Sequence, residues 1–143
     1  MTDAIVASWQ SLRAVLTKAF PQLTEVEPGG ALTMELGPDG WLYELTPDGR
    51  VLCQYGISMD DVKSLMSDGT TEDLGTDELA KQAKYFIQPA VSKYRQVLLQ
   101  SGFSEQTDMN DEFVAVTFER KMDLADPANV QGLTQWCVRT IGR

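Results

Sequence analysis

The side chains that could do chemistry in this sequence are a few carboxylates and two cysteines. Glu35 and Glu44 fall on neighbouring predicted strands, and two carboxylates facing one cleft are the catalytic groups of most glycosidases. Both glutamates alternate with apolar residues, so we expect them to face solvent and to have no catalytic role. Cys53 and Cys137 fall on a predicted strand and a predicted helix. We expect them to be two buried free thiols, because free cysteine packs as a small hydrophobe.

Missing residues exclude most of the common catalytic and cofactor-binding classes. The chain has no histidine, which removes Ser-His-Asp and Cys-His catalysis and every His-ligated metal site. It contains no Gly-x-Gly-x-x-Gly, no phosphate-binding loop ending in Lys-Ser/Thr and no Gly-x-Ser-x-Gly. Two cysteines alone cannot form a structural zinc site. We therefore predict no enzymatic activity, no cofactor and no metal site.

The charge balance restricts the kinds of partner that the chain can bind. Its 143 residues include 21 acidic and 12 basic side chains, a net charge of −9, which repels polyanions. We expect no binding to nucleic acid or to membranes. The partner is predicted to be another protein, one that is basic or that presents an extended apolar segment. The sequence has neither a signal-peptide pattern nor an apolar run of membrane-spanning length, which predicts a cytoplasmic protein.

One stretch concentrates negative charge in the middle of the sequence. It holds Lys63 as its single basic residue, with the acidic residues Asp60, Asp61, Asp68, Glu72, Asp73, Asp77 and Glu78. The spacing does not match an EF-hand calcium loop. The favoured interpretation is a solvated loop with acidic residues at helix N-termini, where the helix dipole stabilises them. A docking surface for a basic partner and a cation site are the alternatives.

The first half of the sequence predicts a helix followed by a meander of strands. An apolar face recurs at spacings of three and four from Asp3 to Phe20, through Ile5, Trp9, Leu12 and Leu16. Three strands are predicted at Leu32–Leu36, Trp41–Leu45 and Val51–Tyr55. They are joined by Gly37-Pro38-Asp39-Gly40 and Thr46-Pro47-Asp48-Gly49. Proline followed by aspartate and glycine is typical of tight turns, so the strands should pair antiparallel.

The second half predicts helices on both sides of a hairpin. Ser58 should cap a short helix to about Met66, with a polar loop from Ser67 to Gly75 after it. Thr76 should cap a long helix that starts at about Asp77 and stops at Gly102, and Pro89 should kink it or split it in two. Its apolar face is predicted to be Leu79, Ala83, Phe86, Ala90, Tyr94, Val97 and Leu98. The remaining elements are strands at about Phe103–Thr107 and Glu112–Lys121 and a helix capped by Asp126, with Pro127 first and Val130, Leu133, Cys137 and Ile141 on its core face.

Together these elements predict one α+β domain over residues 1–143. The order is a helix, a three-stranded antiparallel meander, a helix that is kinked or in two parts, a β-hairpin and a C-terminal helix. From Ile5 to Ile141 this order, the size and the acidity resemble the class I type III secretion chaperones (the Tir-chaperone family) and the related YbjN-like domains.

The resemblance implies particular surfaces. It implies a homodimer built through the central helix, which here would use Phe86, Ala90, Tyr94 and Val97. It also implies apolar grooves that hold an extended segment of a partner protein, formed by Leu12, Leu16, Leu32, Met34, Trp41 and Tyr43. Trp136 joins this set because it lies off the core stripe of the last helix, and exposed tryptophan often marks an interface.

Three functional hypotheses remain open at this point. The first is a non-catalytic protein-binding module of chaperone type. The second is a small acidic regulator, adaptor or immunity-like protein that binds one folded partner through its acidic face. The third, a small-ligand binder or a carboxylate-based enzyme, is less favoured because the usual catalytic side chains are missing.

Overall fold

The computed structural model describes residues 3–65, 76–110 and 112–141. Within them the chain is mixed α and β, with four helices and a six-stranded antiparallel sheet. The elements are α1 (Asp3–Ala19), β1 (Thr24–Glu25), β2 (Leu32–Leu36), β3 (Trp41–Leu45), β4 (Arg50–Ser58), α2 (Met59–Leu65), α3 (Thr76–Gln100), β5 (Ser104–Met109), β6 (Phe113–Lys121) and α4 (Pro127–Ile141). The predicted fold class is confirmed.

The sheet has the strand order β1-β2-β3-β4-β6-β5, so β5 and the two-residue β1 are its edges. In the β2–β3 hairpin Leu32 lies opposite Leu45 and Leu36 lies opposite Trp41. Strand β6 comes between β4 and β5 in the sheet although β5 precedes it in the chain. The second hairpin therefore places its first arm, β5, on the outside.

Residue contacts divide the chain into two compact units. Unit 1 comprises Met1–Cys53 and Glu119–Arg143, and unit 2 comprises Gln54–Phe118. The boundary falls inside β4 and inside β6, so each of these strands begins in one unit and ends in the other. The single domain predicted from the sequence stays a prediction.

The two proline–aspartate–glycine turns form as the sequence predicts. Gly49 donates a backbone hydrogen bond to the Thr46 carbonyl oxygen at 3.0 Å and has a φ of 91°. Gly37 and Gly40 also have positive φ, 72° and 82°, a conformation that glycine adopts without steric cost. The meander is thus fixed by local turn chemistry.

Helix α2 begins and helix α3 ends at the predicted residues. Ser58 Oγ accepts a hydrogen bond from the Asp61 backbone N–H at 3.1 Å, as an N-cap does. At the end of α3, Gly102 has a φ of 90°, its N–H donates to the Leu99 carbonyl at 3.2 Å and the Phe103 N–H donates to the Leu98 carbonyl at 3.1 Å. This pair of bonds is a Schellman motif.

Some boundaries differ from the sequence-based prediction. Strand β4 extends to Ser58 instead of ending at Tyr55, and β1 was not predicted. Helix α3 continues through Pro89 as one helix, so the alternative in which proline splits it is wrong. Pro89 is exposed and Tyr85, four residues earlier, is 69% exposed, so water can bond the carbonyl that proline leaves free. Met66 and the loop from Ser67 to Gly75 lie outside the described residues.

Each unit has its own set of buried apolar side chains. In unit 1, α1 and α4 contact each other and α4 contacts β2, and the helices and strands bury Trp9, Leu12, Leu16, Leu23, Leu32, Met34, Leu36, Trp41, Tyr43, Leu45, Val51, Cys53, Val130, Leu133, Cys137 and Ile141. In unit 2, α3 contacts α2 and β5, and the buried residues are Met59, Val62, Leu79, Ala83, Ile87, Val91, Tyr94, Leu98, Phe103, Val114, Ala115, Val116 and Phe118.

Candidate functional site

The predicted partner-binding residues lie mostly inside unit 1. Leu12, Leu16, Leu32, Trp41 and Tyr43 have no exposed surface, and Met34 is 4% exposed, whereas Trp136 is half-buried. These side chains form the contact between the helices and the strands of unit 1. A partner segment could reach the six buried ones only by displacing a helix, so their role in binding remains a prediction with that added requirement.

The predicted dimer residues of α3 are divided between the core and the surface. Tyr94 is only 6% exposed and therefore packs within its own chain. Phe86, Ala90 and Val97 are half-buried. The stripe that α3 buries most deeply instead passes through Ile87 and Val91, at 3% and 1% exposure, one residue later along the helix than Phe86 and Ala90.

The carboxylates do not assemble a catalytic or metal site in the described residues. Glu35 lies opposite Leu42 and Glu44 opposite Thr33, so the two glutamates are diagonal neighbours rather than a facing pair. No three acidic or cysteine side chains in the described ranges converge as metal ligands would. Asp60 and Asp61 lie in the first turn of α2, and Asp77 and Glu78 in the first turn of α3. Asp68, Glu72 and Asp73 fall outside the described residues.

Unit 1 buries a small cluster of polar groups between β3, β4 and α4. The Thr134 hydroxyl donates to the Val130 carbonyl oxygen at 2.8 Å, so the Tyr43 hydroxyl must donate the hydrogen bond that joins it to Thr134 Oγ1 at 2.6 Å. Burial raises the pKa of Tyr43 far above its ordinary value. Beside it the Cys53 thiol donates to Cys137 Sγ at 3.8 Å.

A groove in unit 2 lies beside a strand at the edge of the sheet. It lies between α3 and the strands β5 and β6 and has a volume of about 380 Å³. Its lining is apolar where the side chains are most buried and polar at the rim. The lining residues are Lys81, Lys84, Tyr85, Ile87, Gln88, Val91, Arg95, Thr107 and Val116.

The rim of this groove is positively charged although the chain as a whole is acidic. Between Leu79 and Phe103 the sequence has four basic residues and no acidic one. Arg95 is held by Glu105 of β5, with its Nε 2.8 Å from Oε1 and its second guanidinium nitrogen 3.1 Å from Oε2. Lys81 forms a salt bridge with Glu78, with Nζ 3.6 Å from Oε1. Within the described ranges no ion pair engages Lys84, which also lines the groove.

Strand β5 forms one side of the groove and is an edge of the sheet. Edge strands carry a row of backbone N–H and C=O groups that another strand can pair with. The six residues of β5 are exposed except for half-buried Asp108. A pairing edge thus runs directly beside an apolar floor and a cationic rim.

Sequence reasoning did not find this site. The basic residues of α3 are visible in the sequence, but basic residues are also what the solvent side of any amphipathic helix carries. The groove needs β5 to be outside β6, which depends on the strand order and not on any local pattern. The absence of acidic residues over the length of α3 beyond its first turn was the one available signal.

The comparisons with known proteins add no relative. No family model, no curated protein and no solved structure matches the chain. Within the described residues no helix is both long enough and apolar enough to span a bilayer.

Proposed function

We propose that this chain is a non-catalytic, cytoplasmic protein-binding module that holds an extended segment of a partner protein along β5. The observation that carries the proposal is the combination of β5 at the edge of the sheet with an adjoining groove of about 380 Å³. Strand addition gives affinity through main-chain hydrogen bonds, and pockets for alternate side chains give specificity. The groove supplies such a pocket for side chains that point toward α3.

The floor of the groove favours apolar side chains. Ile87 and Val91 of α3 and Val116 of β6 line the floor and are 6% exposed or less, so a side chain entering from the edge meets a closely packed apolar surface. Tyr85 stands at the rim and is 69% exposed. A large exposed aromatic residue of this kind is a typical source of binding energy at interfaces.

The rim of the groove favours acidic side chains on the partner. The net charge of −9 alone suggested a basic partner, but short-range recognition depends on the charges that line the site. Lys81 and Lys84 lie about one helical turn apart on the same side of α3. A segment that alternates apolar and acidic residues on its groove-facing side therefore fits best.

The test uses a synthetic peptide labelled with fluorescein, because the partner is unidentified. The peptide repeats Thr-Val-Thr-Glu. Valine and glutamate thus alternate on the side that faces the groove, and threonine occupies the other side. We expect fluorescence anisotropy to show saturable binding to the full chain. The same peptide with lysine in place of glutamate should bind at least tenfold more weakly, and N-methylation along one backbone edge should abolish binding.

Matched variants of α3 locate the site. Lys81→Glu with Lys84→Glu should weaken binding at least tenfold and Tyr85→Ala several-fold, because both changes alter the groove. Lys93→Glu makes the same charge change on the same helix but lies outside the groove lining, so affinity should stay within twofold. Equal losses for all three variants, or binding that tolerates N-methylation, would rule out strand addition at β5.

A specific feature of unit 1 favours a second candidate, an acidic regulator or adaptor that binds one folded partner. Leu42 on β3 is 37% exposed and lies opposite Glu35, with Glu44 two residues further along. An apolar side chain between carboxylates suits a partner surface with a basic rim. Binding of this kind should fall steeply with salt and be lost on Leu42→Lys while the Lys81→Glu, Lys84→Glu variant binds normally.

A further inference from the structure

Two cysteines from distant parts of the sequence meet in the interior of unit 1. Cys53 on β4 and Cys137 on α4 are 84 residues apart in the chain, and their sulfur atoms are 3.8 Å apart. Both side chains have no exposed surface. Both are reduced in this structure, so the prediction of two buried free thiols is confirmed, but their mutual contact was not predicted.

The separation of the sulfurs is within reach of covalent bonding. A disulfide has an S–S length of about 2.05 Å, so the two atoms need to approach by about 1.8 Å. Rotation about the Cα–Cβ bonds of two cysteines can supply a movement of this size. The Tyr43 hydroxyl beside the pair is neutral and is hydrogen-bonded to Thr134.

The surroundings also explain why the reduced state is stable. The hydrogen bond that the Cys53 thiol donates to Cys137 Sγ, together with burial, raises the pKa of Cys53 well above its ordinary value. The thiolate is the reactive form of cysteine. Cys53 is therefore kept as a thiol at neutral pH and reacts slowly, and an oxidant reaches the buried pair only when unit 1 opens locally.

We propose that Cys53 and Cys137 are a redox pair that a hydroperoxide converts into an intramolecular disulfide linking β4 to α4. In the first step one sulfur takes an oxygen atom from the hydroperoxide, which leaves as the alcohol (water, for hydrogen peroxide), and a sulfenic acid forms. In the second step the other sulfur attacks it, the S–S bond forms, the S–O bond breaks and water leaves. The two sulfurs lose two electrons in total, and the O–O bond of the hydroperoxide accepts them.

The test needs only the full chain and hydrogen peroxide. After oxidation, unfolding and treatment with N-ethylmaleimide, the intact monomer should have lost two hydrogens and carry no maleimide. The chain has two cysteines in all, so this mass identifies the pair without ambiguity. Dithiothreitol should restore two maleimide sites.

A second measurement reads the structural effect without any substitution. Closing a long loop restricts the unfolded chain, so the oxidised protein should unfold at a higher temperature than the reduced protein, and reduction should reverse the shift.

In the Cys53→Ser and Cys137→Ser variants the remaining cysteine should be trapped by dimedone as a sulfenic acid, because its resolving partner is gone.

Three results would overturn the proposal. One is a native chain that stays reduced in peroxide while the urea-unfolded chain is oxidised, which would make the pair an inert part of the core. Another is oxidation only to disulfides between chains or to separate sulfinic acids. The last is an intramolecular disulfide that lowers the unfolding temperature, which would show that the fold opposes the link.

Discussion

The hydrogen bond between Tyr43 and Thr134 allows a sharp prediction about the core of unit 1. Tyr43 has no exposed surface, and its hydroxyl donates to Thr134 Oγ1 at 2.6 Å. Tyr43→Phe removes this donor and leaves the packing of the ring unchanged. The lost bond should lower the free energy of unfolding by about 1 kcal/mol, the usual net value for one hydrogen bond.

The substitution of the acceptor should cost more. Thr134→Val keeps the shape of the side chain but removes the acceptor, so a buried Tyr43 hydroxyl is left without this partner. Such a group costs about 1–3 kcal/mol. When both residues are changed, no polar atom of the pair remains, and adding Tyr43→Phe to Thr134→Val should be neutral or stabilising. Tyr43→Phe should therefore lower the free energy of unfolding when residue 134 is threonine, and leave it unchanged or raise it when residue 134 is valine.

Urea unfolding of the four proteins, followed by circular dichroism and tryptophan fluorescence, measures this cycle. Coincident transitions and equal slopes would justify a two-state treatment. If Tyr43→Phe lowers the free energy of unfolding equally with and without the Thr134 hydroxyl, the two groups are not coupled. The reasoning from the 2.6 Å contact would then be refuted.

Three further predictions concern packing, pH and association. A Cβ on Gly56 would lie 2.7 Å from a side-chain carbon of β6, so Gly56→Ala should lower the free energy of unfolding by about 1–3 kcal/mol. A Cβ on Gly132 in α4 would have nothing within 4 Å. Gly132→Ala should therefore be neutral or stabilising in the same urea assay. Burial raises the pKa of Tyr43 in the folded state, so as the pH rises the Tyr43 hydroxyl ionises in the unfolded chain before it does in the folded chain. The free energy of unfolding should therefore fall above about pH 10. The Tyr43→Phe variant should show a smaller fall in alkaline unfolding curves. If the predicted homodimer uses α3, Ala90→Arg should yield monomers in sedimentation velocity, while Tyr94→Ala should mainly lower stability, and the opposite pattern would contradict the assignment.

The local parts of the fold could be predicted from the sequence. The turns at Asp39 and Asp48, the cap at Ser58 and the stop at Gly102 each depend on residues within a few positions of one another. Their chemistry, a preset φ, a side-chain acceptor or a positive φ, acts before any tertiary contact forms. These signals were sufficient for the meander and for the order of the helices.

The parts that depend on distant contacts could not be predicted. Strand β1 is only two residues long. So short a segment has no periodicity to read from the sequence, and its pairing with β2 alone defines it as a strand. The core stripe of α3 runs through Ile87 and Val91 instead of Phe86 and Ala90. Both residues of each adjacent pair are apolar, so the neighbouring elements decide which of the two is covered. The groove and the contact between Cys53 and Cys137 require the strand order and the packing of α4, which no local pattern encodes.

The division of the chain into units has a consequence for its biosynthesis. Unit 2 is one continuous stretch, but unit 1 is made from the two ends of the described chain. Tyr43 must wait for Thr134, 91 residues later, which at roughly 5–20 residues per second is about 5–18 s of translation. During that interval the apolar sides of α1, β2 and β3 leave the ribosome without α4 to cover them. A factor that covers these apolar surfaces during this window should therefore raise the yield of folded protein.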